Sequence, residues 1–240
     1  MAKASLFVTC LVDQFFPQVG VSTVNVLRRL GVQVDFPAGQ TCCGQPAFNS
    51  GYRSQALPLA YQWLDLFAGS EYIVVPSGSC AAMLKASVPE LLRDDPKAAQ
   101  AALELARRTY ELSQFIVDVL KVTDVGARME ARLTYHASCH LLRELGVSSQ
   151  PLALLKGVRG AELAPMEGAT ECCGFGGTFA VKHPEISTAI LEGKLQAIEA
   201  TGADAVVACD MGCLMHMAGA MRRRGIKARA LHLAEVLDSV

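Results

Sequence analysis

Gln40-Thr41-Cys42-Cys43-Gly44 and Thr170-Glu171-Cys172-Cys173-Gly174 are the two stretches whose reading decides the fold. A lone cysteine precedes each, Cys10 at a distance of 31 intervening residues and Cys139 at 32. Another follows each: Cys80 after Ser77-Gly78-Ser79, and Cys213 after Asp210-Met211-Gly212. Eight of the nine cysteines therefore form one pattern written twice, the mark of a duplicated unit. We expect two similar halves, residues 1–125 and 126–240, with the break in the polar, glycine-containing stretch from Lys121 to Glu130.

Working outward, each half alternates strand-like and helix-like segments. Ser5-Leu6-Phe7-Val8-Thr9, Val32-Gln33-Val34-Asp35-Phe36 and Tyr72-Ile73-Val74-Val75 predict strands, rich in β-branched residues and short. Val19 to Leu30 predicts a helix stopped by Gly31, and Phe48 to Phe67 another, started or kinked at Pro58. The second half repeats the order, with strands at Leu133–His136, Ala161–Pro165 and Ala205–Ala208 and a helix at Ile186–Ala200. Its ending, His232 to Leu237, is matched with Phe115 to Leu120. Such alternation predicts an α/β fold of two pseudo-repeated α/β/α halves, each with a mainly parallel sheet. Ligands of parallel sheets sit beyond the carboxyl ends of the strands. Cys10, Cys80, Cys139 and Cys213 all follow predicted strands, so each set is expected to gather at that edge.

Composition narrows the function classes. The chain is 51% apolar with a net charge of −1, which describes a globular protein with no basic excess or aromatic-basic patch to suggest a nucleic-acid binder. Arg222-Arg223-Arg224 is the one cationic run and reads as a solvated helix end. The apolar part of the N-terminus is too short for a signal peptide, and no stretch is long enough for a transmembrane segment. We expect a cytoplasmic protein. Cysteines there point to metal or redox chemistry more than to disulfides.

Four thiolates can hold a [4Fe–4S] or [2Fe–2S] cluster or a tetrahedral zinc. Adjacent cysteines diverge, which suits the separate irons of a cluster better than one small ion. Gly44 and the Gly174-Phe175-Gly176-Gly177 turn allow close backbone approach, with N–H groups available to cluster sulfide. Cys209 lacks a counterpart in the first half, where Pro76 aligns, and reads as a buried strand-end thiol with an extra ligand as the alternative. His136 and His140 flank Cys139 as candidate ligands or tuning groups, His140 the better placed. His183, His216 and His232 read as structural or surface, and Met211, Met215, Met217 and Met221 as core. No hydrolytic constellation is present, and no residue singles itself out for binding a small carboxylate.

The paired pattern resembles the cysteine-rich CCG domain found in heterodisulfide reductase and in the iron-sulfur component of glycolate oxidase, and within that family the lactate utilization A (LutA or LldE) type. The stretches that carry the resemblance are Phe7-Val8-Thr9-Cys10, Cys42 to Tyr52, Cys172 to Phe179, Asp124 to Ala127 and His232 to Leu237. It implies an iron-sulfur electron-transfer component of a complex that oxidises L-lactate to pyruvate, with a LutB-type ferredoxin-containing protein and a LutC-type protein as partners. It further implies one cluster, [4Fe–4S] in the simplest case, on Cys10, Cys42, Cys43 and Cys80, and a second on Cys139, Cys172, Cys173 and Cys213, with zinc at one site as the alternative. The wider pattern ends in Cys-x-x-Cys, and Ser77 and Asp210 replace the first cysteine of that pair. That departure argues against a five-thiolate cluster in the first half and weighs against the first alternative, a thiol-disulfide or heterodisulfide reductase-like catalytic module. A zinc-stabilised structural subunit is the second alternative.

Overall fold

The computed structural model describes residues 1–240. Eight strands form two separate four-stranded sheets, parallel throughout. The first contains β1 (Lys3–Leu6), β2 (Gln33–Asp35), β3 (Tyr72–Val75) and β4 (Thr109–Glu111), in the order β2-β1-β3-β4. The second contains β5 (Arg128–Tyr135), β6 (Arg159–Ala164), β7 (Ala205–Ala208) and β8 (Arg229–His232), in the order β6-β5-β7-β8. The two orders are the same, and so is the register: Ser5 pairs with Ile73 as Thr134 pairs with Val206. The chain is thus an α/β protein of two repeated halves.

Side chains alternate across a strand, and in the first sheet that alternation feeds two cores. Ile73 and Val75 face an outer core with Phe7, Trp63 and Phe67. Ala4 and Val74 face a larger one shared with the second half. The helix Pro17–Arg29 sends Val19, Val26 and Leu27 into this shared core, beside Leu233, Val236 and Leu237 of the helix Leu233–Asp238. Arg29 fastens the contact, donating to the Leu237 carbonyl at 2.9 Å and pairing with Asp238 at 3.0 Å.

Several expectations shift by physical detail. The helix predicted from Phe48 to Phe67 is two helices, Gln45–Asn49 and Arg53–Phe67, parted at Gly51 with φ +84. Pro58 lies within the second of these and does not begin it. Its ring is exposed, so the Ser54 carbonyl left without an N–H partner faces water. The fourth strands β4 and β8 lie outside every predicted strand. The junction of β4 with its helix is at Glu111–Leu112, and that of β8 at His232–Leu233. Glu111, not Phe115, is therefore the counterpart of His232. Arg222–Arg224 close the helix Met211–Arg224 at an exposed end, with Arg224 paired to Glu192. No helix is long and apolar enough to cross a membrane.

Candidate metal centre

Each cysteine leaves the carboxyl end of a strand. Cys10 and Cys139 open short helices after β1 and β5. Cys80 and Cys213 lie in the first turns of helices after β3 and β7. Those helices are capped by Ser77, whose hydroxyl accepts from the Cys80 N–H, and by Asp210, whose carboxylate accepts from Gly212. The Cys-Cys pairs sit on the loops after β2 and β6. Both end in a glycine at φ +87, Gly44 and Gly174, a left-handed conformation that only glycine adopts freely. This turn aims the glycine N–H back at a sulfur: Gly44 N lies 3.4 Å from Cys42 Sγ, and Gly174 N 3.3 Å from Cys172 Sγ.

The thiols converge. Cys10 donates to Cys42 across 3.7 Å, and Cys43 to Cys80 across 3.3 Å. Hydrogen bonds from Cys10 and Cys43 and from the Gly44 N–H hold Cys42 well below the ordinary thiol range. The same arrangement, with Cys139, Cys173 and Gly174, holds down Cys172. Their donors are correspondingly pushed up, Cys10 by its bond to Cys42 and Cys139 by its bond to Cys172. Cys213 is lowered by Cys173 and, to a lesser degree, by His136. Thiolate is thus favoured at Cys42 in the first set and at Cys172 and Cys213 in the second, while the thiols that donate to them keep their protons. Thiolate is the ligating form, and a metal bound there would release the remaining protons. None of the nine cysteines forms a disulfide.

Both sets line one cavity of about 400 Å³. It lies between the halves, and its wall also includes Ser77, Asp210, Phe175, Gly176, Gly177 and His140. Thr178 of this wall meets Ser50 of the first half, their hydroxyls 2.8 Å apart. The sequence places one set in each repeat, and the fold brings the two sets face to face.

The histidines exchange their expected ranks. His140 is held at the rim, Nδ1 3.5 Å from Cys139 Sγ and Nε2 3.4 Å from Glu144. His136, expected to be the less well placed of the two, is buried with neither ring nitrogen hydrogen-bonded. One of its nitrogens and the sulfurs of Cys173 and Cys213 all lie within 4.8 Å of one another. The alternation of β5 is the available signal, since it puts Thr134 and His136 on the face opposite to Tyr135. Cys209 is buried at the end of β7, 3.7 Å from the Tyr135 hydroxyl, and does not line the cavity. His216 bonds Ser187 and His232 caps its helix, both structural. Met217 and Met221 are core, while Met211 also reaches the cavity wall.

The donor set suits a metal–sulfur group. Four free thiols converge in each half, an orphaned buried imidazole faces two of them, and backbone N–H groups point at sulfur.

Comparison with known proteins shows the family and the fold. The CCG cysteine-rich domain family matches residues 4–85 and 133–218. A lactate utilization protein A of Geobacillus kaustophilus is 52% identical, the match covering 99% of both chains. That of Bacillus subtilis is 49% identical with the same coverage. Among solved structures, a hypothetical protein from Helicobacter pylori shares the fold at a TM-score of 0.69 and 10% identity. The match covers 98% of this chain and 48% of that one.

Proposed function

We propose, because the chain belongs to the cysteine-rich CCG family and groups with its lactate utilization A proteins, that it serves lactate utilization as an iron-sulfur electron carrier in the oxidation of L-lactate to pyruvate. In this reading residues 1–125 hold one centre through Cys10, Cys42, Cys43 and Cys80. Residues 126–240 hold the other through Cys139, Cys172, Cys173 and Cys213. A cluster bound there would take up and release single electrons. The chain's own part is to present thiolates, to soften the negative charge with the Gly44 and Gly174 N–H groups, and to keep most of each site away from water. Cys43 is 5% exposed, Cys173 3%, Cys80 9% and Cys213 8%. LutB-type and LutC-type proteins in the cytoplasm would supply and accept the electrons.

The observation that carries this reading is the convergence of both sets of free thiols on one cavity between the repeats. Centres that face each other can exchange electrons without a large motion of the chain. The experiment is a count of iron, acid-labile sulfide and zinc per chain in anaerobically purified protein. About eight iron and eight sulfide are expected, about four of each per centre. The mixed group of His136, Cys173 and Cys213 favours zinc as the second reading for the second site. One or two zinc without sulfide would establish it and remove the electron-carrier role.

A further inference from the structure

The duplication offers an internal comparison, and two buried positions break it. Phe7 stands three residues before Cys10, and His136 three residues before Cys139. Phe7 is 3% exposed and packs on Phe67 in the core that also holds Cys43 and Cys80. His136 is 1% exposed and brings a polar ring to the equivalent place. Neither nitrogen meets the geometry of a hydrogen bond, and the one favourable contact the ring makes is with the Cys213 thiolate, a sparse set of partners for a buried polar group. The atoms it faces are the sulfurs of Cys173 and Cys213.

The second break lies on the helices behind the Cys-Cys loops. Buried positions in Arg53–Phe67 are Ala56, Ala60, Trp63, Leu64 and Phe67. Those in Pro184–Ala200 are Ser187, Leu191, Lys194, Leu195 and Ile198, at the same spacing. Lys194 thus takes the place of Trp63. Its ammonium donates to the Gly168 carbonyl. Burial pushes its pKa below the ordinary lysine value, and Glu171 and the nearby thiols of Cys173, Cys172 and Cys213 pull the other way.

We propose that the His136 imidazole belongs to the second centre, making a direct nitrogen contact with the metal–sulfur group held by Cys139, Cys172, Cys173 and Cys213, and that the two centres are therefore unequal. This rests on the reading of the thiols as metal–sulfur sites. The first centre has an aromatic seat of Phe7 and Trp63. The second has an imidazole and an ammonium, and both favour added negative charge. An electron shared between the two rests on the second, which is reduced while the first is oxidised.

The test uses the full chain, purified anaerobically with nitrogen-15-labelled histidine and partly reduced. Pulsed electron paramagnetic resonance is expected to show a histidine nitrogen coupled to the centre that reduces first. H136F, which installs the residue of the first repeat, should abolish that coupling and move the potential of the second centre down toward the first. It should also weaken metal retention at that centre about tenfold to a hundredfold. Retention of the first centre's signal reports that the variant is folded. Wild-type protein without nitrogen coupling overturns the proposal, as does a folded H136F with both potentials unchanged. The labelled wild type decides the matter even where H136F does not fold. Protein that carries zinc without sulfide refutes the electron-carrier reading alone, because the metal count reports it separately. X-ray absorption then tests His136: a mixed sulfur and nitrogen shell supports the contact, and an all-sulfur shell overturns it.

Discussion

Ser77 Oγ donates to Asp210 Oδ2 across 3.1 Å, joining the two repeats at the positions where the wider family pattern has a cysteine. Both residues cap the helices that carry Cys80 and Cys213. Asp210 Oδ2 also accepts from the Ser79 N–H at 2.8 Å, and the Gly78 N–H reaches the Cys209 carbonyl at 3.0 Å. The two strand-to-helix junctions are therefore stitched together one turn from Cys80 and Cys213. Without a thiol, these two positions supply a clamp between the halves.

The clamp predicts strong coupling. Asp210→Ala removes a helix cap and leaves Ser77 and the Ser79 N–H without their acceptor, at a cost of about 2–4 kcal/mol. Ser77→Ala should cost about 1 kcal/mol. In urea unfolding the double variant is expected to lose less than the sum of the singles, by roughly 1 kcal/mol. Strict additivity would mean that the contact contributes nothing across the repeats.

Much of this arrangement is legible in the sequence, and the illegible parts have identifiable causes. Tyr72–Val75 and Ala205–Ala208 read directly as strands because central parallel strands are buried on both faces. The edge strands Thr109–Glu111 and Arg229–His232 are short and half-polar, and carry no such run. The match of Phe115 with His232 is displaced by one helical turn, since an amphipathic helix nearly repeats its apolar pattern after each turn. Spacing locates each set of cysteines. It does not show that the sets share a cavity, because that depends on how Pro17–Arg29 packs on Leu233–Asp238. Adjacency in sequence favours His140 over His136, whereas the strand direction decides which side chain points inward.

Glu111 and His232 end equivalent strands and predict opposite pH effects. Both are fully buried, and desolvation pushes Glu111 up to about 7 and His232 down to about 4. Between about pH 4.5 and 7 the folded state holds a proton on Glu111 that the unfolded state releases, so this residue makes stability fall as pH rises. Between about pH 4 and 6.5 the unfolded state protonates His232 and the folded state does not, so this residue makes stability rise. Each slope is about 1.4 kcal/mol per pH unit, and the two nearly cancel where they overlap. Glu111→Gln should unmask a stability that climbs up to about pH 6.5, and His232→Gln one that declines up to about pH 7. Denaturant midpoints from about pH 4.5 to 8 measure both, and parallel profiles for wild type and variants would contradict the assignment.

Gln40 performs with a side chain what the second repeat does with backbone. Its Oε1 accepts from the Val8 N–H at 3.0 Å and its Nε2 donates to the Leu6 carbonyl at 2.8 Å, prolonging the edge of β1 toward Cys10. In the second repeat the Ala137 N–H bonds the Ala169 carbonyl at 3.0 Å instead. Gln40→Ala is expected to cost about 1–2 kcal/mol and to loosen Cys10 alone. Metal loss to a chelator should accelerate at the first centre and stay unchanged at the second. Equal acceleration at both would show that the side chain does not act locally.

Gly44 and Gly174 share a backbone conformation but not their surroundings, which separates strain from crowding. At Gly174 an added Cβ would lie 2.5 Å from the Ser187 carbonyl oxygen, a backbone atom with little freedom to retreat. At Gly44 the nearest atom is a Leu59 methyl at 3.4 Å, which can give way. The left-handed φ costs either alanine about 1–2 kcal/mol. Gly174→Ala adds a clash that must shift either the helix Pro184–Ala200 or the Cys172-Cys173 turn. It should therefore lose roughly 3 kcal/mol or more, and about half of the bound metal, all of it from the second centre. Gly44→Ala should stay near the conformational cost and keep both centres. Comparing metal content and urea midpoints of the two variants tests this, and equal losses would leave the Ser187 contact without a role in holding the second set of ligands.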